Sequence, residues 1–261
     1  MERLLSLAQK TVDLVADHWT VAHPATDQLR RLKIVGHRGI GSGPGENQIA
    51  GFVACAEAGV WGVELDVRWT RDNVPIVLHD ANTRRVFAAP VCHPQQLTWI
   101  ELQCCQPGVP SLQQVLSALR GRCHLMIEIK EEFTPEREEI LSHILSLLRP
   151  KEHYHLLTLE PALLENCQKF KADCRVLVSE LNAAQASRYV LRNAWGGTAG
   201  HYLLQTTKQI AAHHHAGQAV GAGFITSFNN VCRQLHRQID WIFSDQAVNL
   251  QQAIRRHLDQ T

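Results

Sequence analysis

The sequence predicts an α/β fold, and within that class a single-domain (β/α)₈ barrel (TIM barrel) with an extra N-terminal helix. Three features lead to this prediction: the chain length, the alternation of strand-like and helix-like segments, and ionisable residues at strand ends. The chain has 261 residues, 45% of them hydrophobic. One such barrel usually needs about 250 residues. No linker rich in Gly, Ser or Pro divides the chain, so we expect one domain.

We assign residues 1–32 to an N-terminal helix with its lead-in and residues 33–261 to the barrel. The first segment has apolar residues at helical spacing, but Glu2, Asp13 and Asp17 are not compatible with the core of a signal peptide. No run of about eighteen apolar residues exists, so we expect no transmembrane segment. The eight cysteines lack paired Cys-x-x-Cys spacing, which favours free thiols and a cytoplasmic protein.

From residue 33 onward, short apolar runs alternate with longer amphipathic segments. Eight runs have the length and composition of strands: 33–36, 61–67, 75–78, 123–129, 155–159, 175–178, 218–222 and 240–243. Such alternation indicates parallel strands, because each crossover must return the chain to the same edge. The pattern of residues 193–200 is ambiguous.

An open, doubly wound sheet is the main alternative to the closed barrel. Such sheets often begin with a Gly-rich turn after the first strand, and Gly39, Gly41 and Gly43 follow residues 33–36. The dinucleotide-binding pattern requires a further glycine where this chain has Pro44 or Glu46. The pattern fails, which favours the barrel.

The net charge of the chain limits the kinds of partner that it can bind. Its formal net charge is +1, so no global field would hold nucleic acid, and the six Trp are not interleaved with Lys and Arg. We therefore expect a small-molecule partner and no nucleic acid.

Three consecutive histidines, residues 213–215, lie in a helical segment. Since successive helical side chains point about 100° apart, we predict a solvated helix face here rather than a metal site.

Ionisable residues concentrate at the ends of four predicted strands. Residues two apart on a strand share one face, so Glu64 and Asp66 point the same way, as do Glu128 and Lys130. In a barrel, such side chains at carboxyl ends of strands face the mouth, where active sites are built. The clusters are His37-Arg38, Glu64-Leu65-Asp66, His79-Asp80 and Glu128-Ile129-Lys130.

Three converging carboxylates would repel one another, and a divalent cation relieves that repulsion. Oxygen ligands select a hard ion, so we predict one Mg²⁺ or Ca²⁺ on Glu64, Asp66 and Glu128. Arg38 and Lys130 beside the metal would make the site suited to a phosphate.

Two histidines lie at strand ends within this group. Phosphodiester cleavage needs a base for the nucleophile and an acid for the leaving alkoxide, and imidazoles serve near neutral pH. We predict that His37 and His79 are this pair. The sequence does not indicate which is the acid.

These stretches resemble the signature of the glycerophosphodiester phosphodiesterase family. The matching elements are His37-Arg38-Gly39, Pro44-Gly45-Glu46-Asn47-Gln48, Glu64-Leu65-Asp66, the hairpin 70–77, His79-Asp80, the segment 109–116 and Glu128-Ile129-Lys130. The resemblance implies a TIM barrel in which the seven residues named above bind the metal, hold the phosphate and transfer protons.

The chain departs from the family pattern near the site. Gly45 is inserted between Pro44 and Glu46, and Gln48 replaces a Thr. Glu46 and Asn47 are candidates for supporting the site; Glu46 would either orient His37 or Arg38 or start the next helix. At the position of a Trp that shapes the family's pocket, the chain has Phe224 or Ile225.

The resemblance implies hydrolysis of a glycerophosphodiester to glycerol 3-phosphate and an alcohol. A lysophospholipase D-like activity on single-chain lipids is an alternative, and it would need an apolar wall for an acyl chain. A barrel that binds phosphodiesters without cleaving them is a third. The sequence leaves open the alcohol, the oligomeric state, and direct water attack against a cyclic phosphate intermediate.

Overall fold

The predicted strands close into a ring. In the computed structural model, which describes residues 21–87 and 89–260, eight parallel strands form this ring, and helices surround it. The strands are β1 (Lys33–Gly36), β2 (Gly62–Trp69), β4 (His124–Ile129), β5 (Tyr154–Thr158), β6 (Arg175–Ser179), β7 (Gly197–His201), β8 (Ala219–Gly223) and β9 (Trp241–Ser244). The prediction of a (β/α)₈ barrel is confirmed. The predicted N-terminal helix lies mostly outside the described residues.

Ten α-helices connect or flank the strands in the described part of the chain. They are α1 (Thr26–Arg30), α2 (Ile49–Glu57), α3 (Trp99–Cys105), α4 (Leu112–Leu119), α5 (Pro135–Ile144), α6 (Ala162–Glu165), α7 (Ala183–Asn193), α8 (Thr207–His215), α9 (Phe228–His236) and α10 (Ala247–Leu258). Capping boxes fix the starts of α3, α4 and α8, where a Ser or Thr hydroxyl and a Glu or Gln three residues later satisfy the free backbone N–H groups.

The first and last strands pair and close the barrel. Val35 of β1 lies opposite Phe243 of β9 on one side and opposite Gly62 of β2 on the other. This closure places the loops after β1 and β9 next to each other, although they come from opposite ends of the chain.

One predicted strand is not a member of the ring. β3 (Pro75–Val77) pairs antiparallel with β2, with Ile76 opposite Arg68, and lies outside the parallel set. The eighth barrel strand is β7, in the segment whose pattern was ambiguous. Its sequence is rich in Gly and Ala because the neighbouring strand is close: a Cβ on Gly197 would lie 2.4 Å from the Ala219 carbonyl oxygen. Small residues at such positions remove the apolar signal of a strand.

The barrel interior is filled by side chains rather than forming a pore. Seven buried residues form this inner core: Val35, Met126, Leu157, Val176, Ala199, Trp241 and Phe243. At the amino-terminal end of the strands, His124 and His155 share a hydrogen bond of 2.8 Å between ring nitrogens. Trp61 stacks on His124 there. This packing fills the amino-terminal end of the barrel. The candidate site residues lie at the opposite, carboxyl end.

The prediction for the three consecutive histidines is wrong for His213. Its side chain is buried, and its ring nitrogens hydrogen bond Ser187 Oγ at 2.8 Å and Gln218 Oε1 at 2.7 Å. α8 turns this residue toward the barrel, while His214 pairs with Asp240 and His215 is exposed. Helical spacing separates the three side chains around the helix, but it does not indicate which of them faces the core. Among the described residues, no helix has the length and apolar character that a membrane crossing requires.

Candidate active site

Three carboxylates meet at the carboxyl end of the barrel. Glu64 and Asp66 share one face of β2, and the register of β2 with β4 places Asp66 beside Glu128. All three side chains are buried, and one carboxylate oxygen of each lies within 4.8 Å of the others. The structure therefore brings together the three acidic residues that the sequence singled out.

The carboxylate oxygens of this cluster fit a divalent cation. Glu64 Oε1 and Asp66 Oδ1 are buried and have no hydrogen-bond partner. Burial and the neighbouring Asp66 carboxylate raise the pKa of Glu64, and the same two causes raise the pKa of Glu128. Buried acceptors without hydrogen bonds, together with two carboxylates whose ionised form is disfavoured, are the environment that a bound cation stabilises.

Two basic residues flank the carboxylates. Lys130 Nζ lies 2.7 Å from Glu128 Oε1 and 3.1 Å from Asp66 Oδ1, the second contact being an ion pair without hydrogen-bond geometry. Arg38 Nε lies 3.5 Å from Asp66 Oδ2, and the Arg38 backbone N–H donates to Glu64 Oε2 at 2.8 Å. Although burial opposes it, Lys130 together with Arg38 holds the pKa of Asp66 below its usual value. The cluster therefore contains one carboxylate more than it contains cations.

His37 follows β1 and is held by a carboxylate from the last strand. Its Nδ1 lies 2.6 Å from Asp245 Oδ1, and its Nε2 lies 4.0 Å from Glu64 Oε2. Burial lowers the pKa of His37, but the Asp245 hydrogen bond and the Glu64 charge outweigh it and raise the pKa overall. The site reasoning from sequence missed Asp245. The signal available was an acidic residue two positions after the last predicted strand.

His79 follows β3 and has an analogous partner. Its Nδ1 lies 2.6 Å from Asp80 Oδ1, and its backbone carbonyl accepts a hydrogen bond from Arg68 Nε at 2.8 Å. Burial, helped by the charges of Lys130 and Arg38, lowers the pKa of His79 more than Asp66 and Asp80 raise it. In both histidines a carboxylate accepts from Nδ1–H, which leaves Nε2 as the nitrogen for proton transfer.

Glu46 binds two arginines at the site, Arg38 and Arg85. Its buried carboxylate accepts from Arg38 Nη1 at 3.2 Å, from Arg85 Nη1 at 2.6 Å and from the Gly43 backbone N–H at 2.8 Å. α2 begins at Ile49 and has no acidic residue in its first turn. The contacts of Glu46 therefore match the orientation of Arg38 and do not match a helix-starting role.

Arg85 was missed by the sequence reasoning. Its guanidinium bonds Glu46 and also donates to Asp80, with Nε 2.7 Å from Asp80 Oδ2. It therefore ties the loop after β1 to the partner of His79. An Arg in a loop gives no pattern from which these contacts could be read.

Asn47 holds Asp66 in position. Its Nδ2 donates to Asp66 Oδ2 at 2.7 Å, and its Oδ1 accepts from the Asp66 backbone N–H at 3.2 Å. Asn47 has a φ of 56°, a left-handed conformation that Asn tolerates better than most residues. At the position compared with the family's Trp, Phe224 is partly exposed beside His37, whereas Ile225 is buried.

The fold and the site together define a (β/α)₈ barrel with an acidic cluster, two flanking cations and two His–Asp pairs at its carboxyl end. The chain belongs to the glycerophosphoryl diester phosphodiesterase family, whose family model matches residues 37–195.

Curated relatives match over different lengths. A glycerophosphocholine phosphodiesterase of Candida albicans is 44% identical over 61 residues, which are 20% of this chain and 5% of that protein. The chain thus matches only a small part of the first such relatives. A glycerophosphodiester phosphodiesterase of Caldanaerobacter subterraneus subsp. tengcongensis is 22% identical over 210 residues, covering 77% of this chain and 71% of that protein.

Solved structures share the fold. A glycerophosphodiester phosphodiesterase from Thermotoga maritima matches with a TM-score of 0.67 at 21% identity, over 83% of this chain and 96% of that one. A phosphodiesterase from Oleispira antarctica, in complex with the product sn-glycerol-3-phosphate, matches with a TM-score of 0.70 at 18% identity, over 85% and 96%. At these identities the likeness establishes the barrel.

Proposed function

We propose that this protein is a metal-dependent phosphodiesterase that hydrolyses glycerophosphodiesters to glycerol 3-phosphate and an alcohol. The observation that carries the proposal is the buried cluster of Glu64, Asp66 and Glu128, with two carboxylate oxygens lacking hydrogen-bond partners. Family membership and the names of the relatives support the same chemistry.

The metal would be held by Glu64, Asp66 and Glu128. Three carboxylates supply only oxygen ligands, which suits Mg²⁺ or Ca²⁺ better than a softer ion. When bound, such an ion polarises phosphoryl oxygens and stabilises the negative charge that develops on them. Asn47 would keep Asp66 in position, because it holds both the carboxylate and the backbone N–H of that residue.

Arg38 and Lys130 would bind the phosphate. Three carboxylates and these two cations leave one negative charge in excess, and a divalent cation would change that excess to one positive charge. A phosphodiester carries one negative charge, so these five side chains, the metal and the substrate would together be close to neutral. The guanidinium of Arg38 also offers paired N–H donors that match phosphate oxygens.

His37 and His79 would transfer the protons. One imidazole accepts a proton from the attacking hydroxyl, whose oxygen forms the new bond to phosphorus. The other donates a proton to the alkoxide oxygen as its bond to phosphorus breaks. Asp245 and Asp80 would hold the two rings by Nδ1 and so keep Nε2 of each available.

The test is an assay of purified protein with glycerophosphocholine and related diesters, with Mg²⁺, Ca²⁺ or chelator, measuring glycerol 3-phosphate. We expect cation-dependent turnover that Glu64→Gln abolishes, while Glu57→Gln on the exposed side of α2 retains it. Undiminished turnover in Glu64→Gln would refute the site assignment. No cleavage of any diester with any of these cations would favour a barrel that only binds phosphodiesters.

We also propose a cytoplasmic location. All eight cysteines are free, and free thiols persist in a reducing compartment. Burial raises the pKa of Cys55 to about 12 and that of Cys123 to about 11, so these thiols act as small apolar residues. Fractionation of expressing cells tests this: recovery with a cytoplasmic marker is expected, and recovery from an oxidising compartment would contradict it.

A further inference from the structure

The backbone that carries His79 leaves the sheet one residue before the histidine. The backbone bonds between β3 and β2 end with the Leu78 N–H, which donates to the Asp66 carbonyl at 3.0 Å. Within residues 21–87 and 89–260, neither the N–H nor the carbonyl of His79 bonds another backbone group. A residue beyond the end of a strand has the mobility of a loop unless other contacts hold it. The position of the His79 ring therefore depends on side-chain contacts.

Arg68 makes such a contact with the His79 backbone. Its Nε donates to the His79 carbonyl at 2.8 Å, and its Nη1 donates to Glu131 Oε1 at 2.7 Å. Glu131 Oε2 in turn accepts from the Trp69 backbone N–H at 3.3 Å. The two side chains of this ion pair are largely buried, with 15% of Arg68 and 18% of Glu131 exposed. The guanidinium thus joins the end of β2, the residue after Lys130 and the backbone of His79.

The place of Arg68 on β2 explains how it reaches the candidate site. It lies two residues after Asp66 and four after Glu64, so its side chain leaves the strand on the same face as the two carboxylates. Glu131 neutralises its charge, and two of its three nitrogens already donate hydrogen bonds within the protein. These contacts favour a role in holding a neighbouring group over a role in binding the phosphate.

We propose that Arg68 is a positioning residue for His79, which fixes the backbone of that residue and so presents its ring to the candidate site. Asp80 sets the orientation of the ring through Nδ1, whereas Arg68 sets the point from which the ring projects. Glu131 holds the Arg68 side chain in the conformation that this contact needs. This role rests on the proposed function, because proton transfer by His79 is part of that function.

The first test is the steady-state kinetics of glycerophosphocholine hydrolysis by Arg68→Met. We expect kcat to fall by roughly 10- to 100-fold, since a misplacement of about 1 Å in a group that transfers a proton has an effect of this size. KM should change little, because Arg38 and Lys130 remain. In the His79→Ala background, Arg68→Met should lower kcat no further, because residues that act through one another are not additive.

The matched control is Arg71→Met on the same hairpin. Arg71 makes the same two kinds of contact, from Nη1 to the Gln96 carbonyl at 2.9 Å and from Nη2 to Glu101 Oε2 at 3.0 Å, on an exposed surface. We expect this variant to keep the wild-type kcat. Arg68→Lys keeps the charge but not the paired donors of a guanidinium, so it should recover only part of kcat.

Three kinetic results would overturn the inference. An equal fall of kcat in Arg71→Met, or a further fall when Arg68→Met is added to His79→Ala, would show a general effect on the fold. Full recovery of kcat in Arg68→Lys would assign the effect to charge. If Arg68→Met does not fold, Arg68→Lys takes its place, and the wild-type kcat in that folded variant overturns the inference.

A second measurement does not need turnover. In NMR spectra of protein labelled in its histidine rings, Arg68→Met should shift or broaden the signals of His79, which are assigned with His79→Gln. The signals of His213, which is buried under α8, should stay unchanged. Unchanged His79 signals would overturn the inference. If the wild-type protein cleaves no diester, the proposed function fails, and this comparison alone decides whether Arg68 fixes the position of His79.

Discussion

His37 Nδ1 and Asp245 Oδ1 lie 2.6 Å apart, although 208 positions separate them in the chain. The contact exists because β1 pairs with β9 when the barrel closes, with Gly36 opposite Ser244. The residues that follow those two are His37 and Asp245. Completion of the candidate site therefore depends on the last strand of the fold.

Asp245→Asn should lower kcat by roughly 10- to 100-fold with a smaller change in KM, the range typical when a carboxylate that orients a functional histidine is lost. Asp245 raises the pKa of His37. In the variant, the part of the pH–rate profile that reports ionisation of His37 should therefore move to lower pH. Rate profiles against pH measure both effects. The control is Asp240→Asn, which breaks the His214–Asp240 pair on the outside of the barrel. An unshifted profile in Asp245→Asn would contradict the assignment.

Much of this site could be predicted from the sequence, because its charged residues follow local rules. Glu64 and Asp66 share a face through strand alternation, and the parallel register of β2 with β4 then adds Glu128. Asp245 and Arg85 could not be predicted in the same way. Asp245 lies 208 positions from His37, and closure of the barrel brings them together, whereas Arg85 reaches Glu46, 39 positions away, through contact between two loops.

The errors in the fold have a related cause. The segment 75–78 has the composition of a barrel strand, yet hydrogen bonds with β2 make it an antiparallel neighbour. β7 was ambiguous because close packing between β7 and β8 selects Gly and Ala, which remove the apolar pattern. Composition reports how a strand is buried, whereas pairing depends on contacts between segments distant in sequence.

Addition of Mg²⁺ or Ca²⁺ should raise the thermal unfolding midpoint, because the ion binds only the folded cluster and relieves repulsion among its carboxylates. At a hundredfold excess over Kd the folded state gains about 2.7 kcal/mol, or several degrees for a protein of this size. Calorimetry with cation and with chelator measures the shift. Glu64→Gln should abolish most of it and Glu57→Gln should keep it. An equal shift in the two variants would place the cation elsewhere.

Arg85→Met should raise KM roughly tenfold by disturbing phosphate binding. Without Arg85, the buried Glu46 carboxylate retains Arg38 as its side-chain partner and should draw that guanidinium away from the phosphate. Arg85→Lys should restore only part of the affinity, since an ammonium cannot make the same paired contacts. Steady-state kinetics test this, with the exposed neighbour in Arg84→Met as the control. If Arg84→Met raises KM equally, Arg85 has no special role.

The His124–His155 pair at the amino-terminal end of the barrel should make the protein less stable in acid. Burial lowers the pKa of His124 to about 4 and that of His155 to about 3, below the value near 6.5 of an unfolded histidine. The unfolded chain therefore binds more protons than the folded one in this range. The stability contributed by the pair is fully present above about pH 6.5 and falls as the pH decreases, by roughly 2 kcal/mol per imidazole at about pH 5.

Urea unfolding across this pH range measures the effect, and the double variant His124→Gln/His155→Gln should show a shallower loss of stability. The control is His215→Gln, because His215 is exposed on α8. Since the pair lies at the opposite end of the barrel from the carboxylate cluster, its contribution can be separated from titration of the site by adding a saturating cation. If the double variant loses as much stability in acid as the wild type, other groups govern that loss.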